Sequence, residues 1–188
     1  MNAKKKIYRD IHKKLIEDCK KGSRKAQFEI YRLYYKAMFN ASLRIVGKQD
    51  EAEDIMQDSF LKAFSNLDQY RGEVSFGAWL KKIVINRSLD VVRKKKWILE
   101  DIDDHENELA DNEETEIYEE IPTQEIINEI EKLPHGYRIV LTLYLLEGYD
   151  HEEISEIMNI SPSTSRSQYA RAREKLAHNL KKKYNERH

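Results

Sequence analysis

Apolar side chains recur along the chain at spacings of three and four, the period of an amphipathic helix. Phe28, Leu33, Tyr35, Met38, Phe39, Leu43 and Val46 predict one helix. Ser23 is placed to cap it and Gly47 to end it. Ala52, Ile55, Met56, Phe60, Ala63, Phe64 and Leu67 predict the buried side of a second, opened by a capping box of Asp50 and Glu53. A loop from Asp68 to Val74, holding Gly72, leads to Ser75, which caps a third helix carrying Phe76, Trp79, Leu80, Ile83, Val84 and Leu89. Further toward the N-terminus, Ile7, Ile11 and Leu15 stand at helical spacing in a short basic segment. Toward the C-terminus, helices are expected near Thr123–Lys132 and Tyr137–Leu146.

The segment from Asp150 to Arg173 reads as helix, tight turn, helix. Asp150 caps the first helix, Glu153 completes a capping box, and Ile154 and Ile157 share a face. Asn159 suits a left-handed turn. Ser161 caps the second helix, with Pro162 at its first position, where the missing N–H costs nothing. Ser165, Tyr169, Ala172 and Leu176 fall on one face of it, expected to pack inward. Arg166, Ser167, Ala170 and Arg171 fall on another, where two guanidiniums suit guanine edges or phosphates. Two short helices joined this way form a helix-turn-helix, whose second helix fits the major groove of DNA. A solvated basic helix in a bundle is the plainer reading. The caps, the turn and the outward arginines occurring together favour DNA.

Composition narrows the class. Of 188 residues 40% are apolar and 36% charged, so any core is built from narrow helix stripes. Six glycines and three prolines are too few for a turn-rich all-β protein. A single cysteine, Cys19, rules out an internal disulfide framework and reads as a structural or incidental thiol. The apolar runs are too short to span a membrane, and the basic N-terminus lacks an apolar signal segment. The expectation is a cytoplasmic, all-α protein.

A net charge of −1 conceals a strong asymmetry. Residues 97 to 121 hold 12 acidic side chains and no lysine or arginine, leaving 33 basic against 22 acidic elsewhere, a net of +11. Basic domains attract phosphate backbones. A one-sign block poor in apolar residues repels itself and stays extended. The expected organisation is a basic leader (1–22), a helical domain (23–96), a flexible acidic linker (97–121) and a second helical domain (122–188).

Two further clusters bear on function. Arg93-Lys94-Lys95-Lys96 ends the third helix, which also carries Trp79, Asn86 and Arg87, with Tyr70 and Phe76 just before it. Basic groups near aromatics suit single-stranded DNA, where bases stack and phosphates are neutralised. The competing reading makes the run a helix-dipole complement and Trp79 core. Asp54, Gln57 and Asp58 form a polar ridge, one turn apart, suited to a basic partner. A metal site there is disfavoured by the absence of nearby His or Cys. No phosphate loop, nucleophile elbow or His-x-x-x-His occurs, and the six histidines are scattered. No catalytic residue, metal or cofactor is expected.

Residues 50–64, then Tyr70-Arg71-Gly72, then Phe76 to Arg93, resemble region 2 of bacterial RNA polymerase sigma factors, nearest to the extracytoplasmic-function (ECF) group. Leu133–Leu141, Glu147–Ile154 and Ser161–Leu176 resemble region 4 of that group. The resemblance covers about 120 residues, in order and separated by a linker. It implies that Asp54, Gln57 and Asp58 bind the coiled coil of the polymerase clamp. It implies that the loop from Tyr70 to Phe76, with Arg71 and Gly72, captures a flipped-out base of the −10 element. Asn86 and Arg93 would contact the separated strand and its backbone. Arg166, Ser167, Ala170 and Arg171 would read the −35 element, and the acidic linker would occupy the polymerase's RNA path. Ser165 stands where the family usually carries a β-branched apolar residue, and Ala170 where larger side chains often help to read sequence.

The resulting expectation is an ECF-type sigma factor, not an enzyme. It would bind core RNA polymerase and promoter DNA and help open it, with an anti-sigma factor as a further possible partner. The alternatives are a free-standing helix-turn-helix transcription regulator, which would bind duplex without polymerase, and a helical metalloenzyme acting on nucleic acid.

Overall fold

The computed structural model describes residues 11–95 and 121–186; the acidic linker lies almost wholly outside them, as does the first part of the basic leader. The described residues form helices and turns, with no strand among them. The chain divides into two units, Met1–Val91 and Val92–His188.

The first unit is built on α1 (Lys13–Lys20), α2 (Arg24–Val46), α3 (Gln49–Ser65) and α4 (Phe76–Lys94). Local chemistry sets most boundaries. The Ser23 side chain accepts from the Ala26 N–H at 3.3 Å and opens α2. Gly47 closes α2 at φ 75°, a left-handed conformation that strains a residue bearing a Cβ but that glycine adopts readily. The Ser75 hydroxyl accepts from the Ala78 N–H at 3.2 Å and opens α4.

The core lies among Ile30 and Met38 of α2, Met56, Phe60 and Ala63 of α3, and Phe76, Leu80 and Val84 of α4. Ile16 and Cys19 of α1 close one side of it. Burying an aliphatic or aromatic side chain of this size contributes about 1.5–3 kcal/mol. Two buried hydroxyls, Ser42 on α2 and Ser88 on α4, satisfy each other at 3.0 Å.

Several sequence expectations shift here. α3 is not opened by an Asp50–Glu53 box. Lys48 occupies the cap position with no side-chain cap bond, and Asp50 lies in the first turn. The left-handed Gly47 returns the chain so quickly that only Gly47 and Lys48 separate the helices, and Asp50 is left to complement the helix dipole. Phe28 and Leu33 are exposed rather than core. α2 buries Met38 and Val46 of the expected pattern together with Ala26, Ile30, Ala41 and Ile45, a stripe rotated away from Phe28 and Leu33. α1 starts after Ile11, so Ile11 is exposed and the inward residues are Ile16 and Cys19. Ile7 lies outside the described residues.

The second unit holds α5 (Thr123–Glu131), α6 (His135–Leu141), α7 (His151–Met158) and α8 (Pro162–Asn185). Its core joins Ile130 and Leu133 to Leu141, Ala172 and Leu176, with Ile126, Tyr137, Tyr169 and Leu180 around them. The helix expected over Tyr137–Leu146 starts earlier, at His135, and its last five residues, Thr142–Leu146, widen into a π-helical turn.

The end of α8 is tied back to α5. Lys183 Nζ lies 3.0 Å from Glu125 Oε1 and 3.1 Å from Glu129 Oε1, and Lys132 Nζ lies 2.8 Å from the same Glu129 oxygen. The Lys132 bond does most to hold the Glu129 carboxyl below its ordinary range; burial opposes it, and Lys183 adds to the lowering.

Candidate nucleic-acid interface

In the second unit, helix caps at each joint fix a helix-turn-helix. Asp150 Oδ1 accepts from the Glu153 N–H at 2.8 Å, while Glu153 Oε2 accepts from the Asp150 N–H at 3.0 Å. This reciprocal box is the one the sequence predicts. α7 ends on Asn159, in the left-handed region at φ 56°. Ser161 Oγ then accepts from the Thr164 N–H at 3.0 Å, and Pro162 takes the first turn of α8. The turn is therefore set by residues within a few positions of one another.

α8 sorts its side chains as its period requires. Ser165, Gln168, Ala172 and Leu176 are buried. Arg166, Ser167, Ala170 and Arg171 are all exposed, forming a continuous outer stripe. Arg166 Nη1 rests 3.4 Å from Glu152 Oε1 of α7. Both side chains are more than half exposed, so the pair is weak and exchangeable. Two guanidiniums flanking small residues on a convex helix can reach base edges and phosphates in a major groove.

The first unit presents a different surface. Tyr70 to Ser75 forms the loop between a 3₁₀ turn at Leu67–Gln69 and α4. Gly72 sits at φ 71°. Tyr70 and Phe76, expected to reach DNA, are instead buried, Phe76 to 1% exposure. Their rings meet edge to face at 5.4 Å, and Trp79 lies 5.5 Å from each. Tyr34 of α2 joins the cluster 5.7 Å from Phe76. The Tyr70 hydroxyl donates to the Val74 carbonyl at 2.8 Å, bracing the loop from within. Lys20 of α1 donates to the Tyr70 carbonyl at 3.4 Å. Arg71, Glu73 and Val74 are left facing outward.

The sequence reading missed the supports Tyr34 and Lys20. Nothing local marks them, because their partners lie in other helices. Asn86 and Arg87 are exposed on α4, and Arg93 lies exposed in its last turn.

Asp54, Gln57 and Asp58 are exposed on one side of α3. Gln57 Nε2 donates to Glu53 Oε1 at 3.2 Å. Asp58 Oδ2 accepts from Arg87 Nη2 at 3.2 Å, beside a shallow hollow lined by Asp58, Ser59, Lys62 and Arg87. One turn on, Leu61 is 66% exposed and extends the ridge with an apolar side chain. The sequence reading left Leu61 out.

Cys19 is buried, which pushes its thiol above the ordinary value, and Asp18 adds to the shift. It is a packing residue. Among the described residues no group of three or more His, Cys, Asp or Glu is arranged to hold a metal ion, and no helix is long and apolar enough to cross a membrane.

Comparison with known proteins converges on one family. Residues 30–98 match the model of Sigma-70 region 2, and residues 123–176 that of Sigma-70, region 4. The chain is 31% identical over 186 residues to the ECF RNA polymerase sigma factor SigW of Bacillus subtilis (strain 168), covering 90% of this chain and 96% of that protein. It is also 31% identical over 174 residues to the ECF RNA polymerase sigma-E factor of Salmonella typhimurium (strain LT2), covering 86% and 90% of the two chains.

Solved structures share the fold. The sigma factor RpoE, in complex with the anti-sigma factor NepR from Bartonella quintana, superposes with a TM-score of 0.55 at 23% identity, covering 81% of this chain and 95% of that one. CnrH, in complex with the cytosolic domain of CnrY, gives 0.54 at 21% identity, covering 89% and 95%. The two family matches fall in chain order on the two helical units, the second on the helix-turn-helix, and the chain belongs to the ECF group of RNA polymerase sigma factors.

Proposed function

We propose that this ECF sigma factor works by positioning alone, with no catalytic chemistry of its own, in the cytoplasm where polymerase and promoter are found. The functional division follows 23–96 and 122–188, with the leader and the acidic segment outside both. The polar ridge Asp54, Gln57 and Asp58, extended by Leu61, docks on the clamp coiled coil of core RNA polymerase. Asp58 exchanges Arg87 for a basic group of the polymerase at small cost, because both partners are solvated. The outer stripe of α8 reads the −35 element in the major groove, with Arg166 and Arg171 supplying the hydrogen bonds.

The −10 reading takes a modified form. Tyr70 and Phe76 do not offer their rings to a base. They hold the loop so that the backbone around Arg71 and Gly72, with Asn86 and Arg93 along α4, meets the separated strand. Capturing an unstacked base there shifts the equilibrium from duplex to open complex, since only the open form gains the contact. An anti-sigma factor is a further partner, consistent with the complex of RpoE with the anti-sigma factor NepR.

The observation that carries this reading is the sorting of α8: Ser165, Gln168, Ala172 and Leu176 are buried, while Arg166, Ser167, Ala170 and Arg171 stand together outside. The test is transcription by core polymerase plus this chain from templates with randomised upstream sequence. Transcripts that depend on the chain should enrich two sequence blocks at a fixed spacing. Tight binding to a palindromic duplex without polymerase, and no chain-dependent transcript, would instead show a free-standing regulator.

A further inference from the structure

The helix-turn-helix contains a polar contact that its capping motifs do not explain. Ser165, in the first turn of α8, is fully buried. Its hydroxyl lies 3.0 Å from Nδ1 of His151, the first residue of α7. The His151 ring stacks on Tyr144 of the π-helical turn at 4.7 Å and 24°. It meets Tyr169, one turn further along α8, edge-on at 5.5 Å and 68°. Tyr144 and Tyr169 in turn touch at 4.5 Å. One imidazole on α7 therefore touches both the π-helical turn before it and α8 after it, and its hydrogen bond satisfies a serine with no access to water.

We infer that His151 is a positioning residue for −35 recognition: its bond to Ser165 and its stacking on Tyr144 and Tyr169 fix the rotation of α8, and so the aim of the outer stripe. The argument rests on geometry. Ser165 and Arg166 are adjacent, so a roll of α8 that displaces the buried hydroxyl turns the guanidinium by the same angle. The caps at Asp150 and Ser161 fix where the two helices start, but no cap bond crosses between them. The His151–Ser165 bond does. An unpaired buried hydroxyl is costly, so the bond selects one rotation among those that apolar packing alone would tolerate. Ser165 and His151 act as a matched pair, replaceable together by two apolar side chains but not singly.

This inference rests on the proposal that α8 reads the −35 element, and the test separates the two. Discrimination is measured as the ratio of transcription from a cognate promoter to that from the same promoter with its −35 block scrambled, using core polymerase and the full chain. The variants are His151→Phe, Ser165→Val, the double variant and, as a control on the reading itself, Arg171→Ala. Each single change of the pair should lower the ratio at least about threefold, and the double variant should recover most of it, the coupling expected of residues in contact. Ser165→Ala removes the hydroxyl without adding volume, and it should fall in the same direction even if Ser165→Val does not fold.

A merely structural role would lower total output and thermal stability without moving the ratio. An unchanged ratio in His151→Phe and Ser165→Ala, or a double variant no better than the product of the singles, overturns the inference while leaving the −35 reading intact. An unchanged ratio in Arg171→Ala overturns the reading itself.

Discussion

Arg166 of α8 and Glu152 of α7 form an ion pair across the helix-turn-helix, 3.4 Å apart, with both side chains open to solvent. In the free protein the carboxylate engages one guanidinium nitrogen, for which a phosphate or a guanine would compete. Exposed pairs of this kind contribute only about 0.2–1 kcal/mol. Glu152→Gln should therefore leave folding stability nearly unchanged while strengthening duplex binding and steepening its salt dependence, read by titration of a promoter fragment at several salt concentrations. Unchanged salt dependence would place Arg166 away from the DNA.

Arg171 sits on the same outer stripe and is exposed. Arg171→Ala should weaken −35-dependent promoter binding by about 1–3 kcal/mol if the guanidinium meets a base, and should relax selectivity at that position alone. A loss that is equal across all sequences would contradict the base contact, and with it the −35 reading of the stripe.

Phe76 fixes the loop from within the core, in contact with Tyr34, Tyr70 and Trp79. Phe76→Ala should cost about 3–5 kcal/mol, the range for truncating a buried aromatic. Loss of the first unit's cooperative melting would accompany loss of promoter opening. A variant that melts normally but fails to open DNA would show that the ring touches a base after all.

Acid should loosen the second unit. The Glu129 carboxyl is lowered in the folded state, first by the hydrogen bond from Lys132 and further by that from Lys183. A group lowered by folding contributes stability that is complete above its unfolded value and lost as pH falls through its folded one. Amide exchange in α5 and α8 should therefore accelerate as pH drops below the ordinary glutamate value of 4.5. Glu129→Gln should remove most of that pH dependence. Lys183, raised chiefly by its bond to Glu125, acts oppositely and releases its contribution only in strong alkali.

What the sequence made legible was local. The caps at Ser23, Ser75, Asp150 and Ser161, the left-handed Gly47 and Asn159, and the inner and outer faces of α8 are each set by residues within one or two turns. Where reading failed, the deciding neighbour was distant. Phe28 and Leu33 match a helical stripe as well as Ile30 does, and only the placement of α3 and α4 selects between them. Tyr70 and Phe76 look alike pointing inward or outward until Tyr34 arrives from another helix. Asp58 with Arg87, and His151 with Ser165, are polar pairs made by packing, invisible to periodicity. The acidic segment from residue 97 was recognised by charge alone, and it lies almost entirely outside the described residues.

The most direct test of the account is co-elution of the full chain with core RNA polymerase on a sizing column, beside the Asp54→Ala/Gln57→Ala/Asp58→Ala variant. All three side chains are exposed, so the variant should fold as the parent does. The account predicts that the parent co-elutes and the variant runs free. A variant that still co-elutes would move the clamp contact off α3, and a parent that never co-elutes would contradict the central claim.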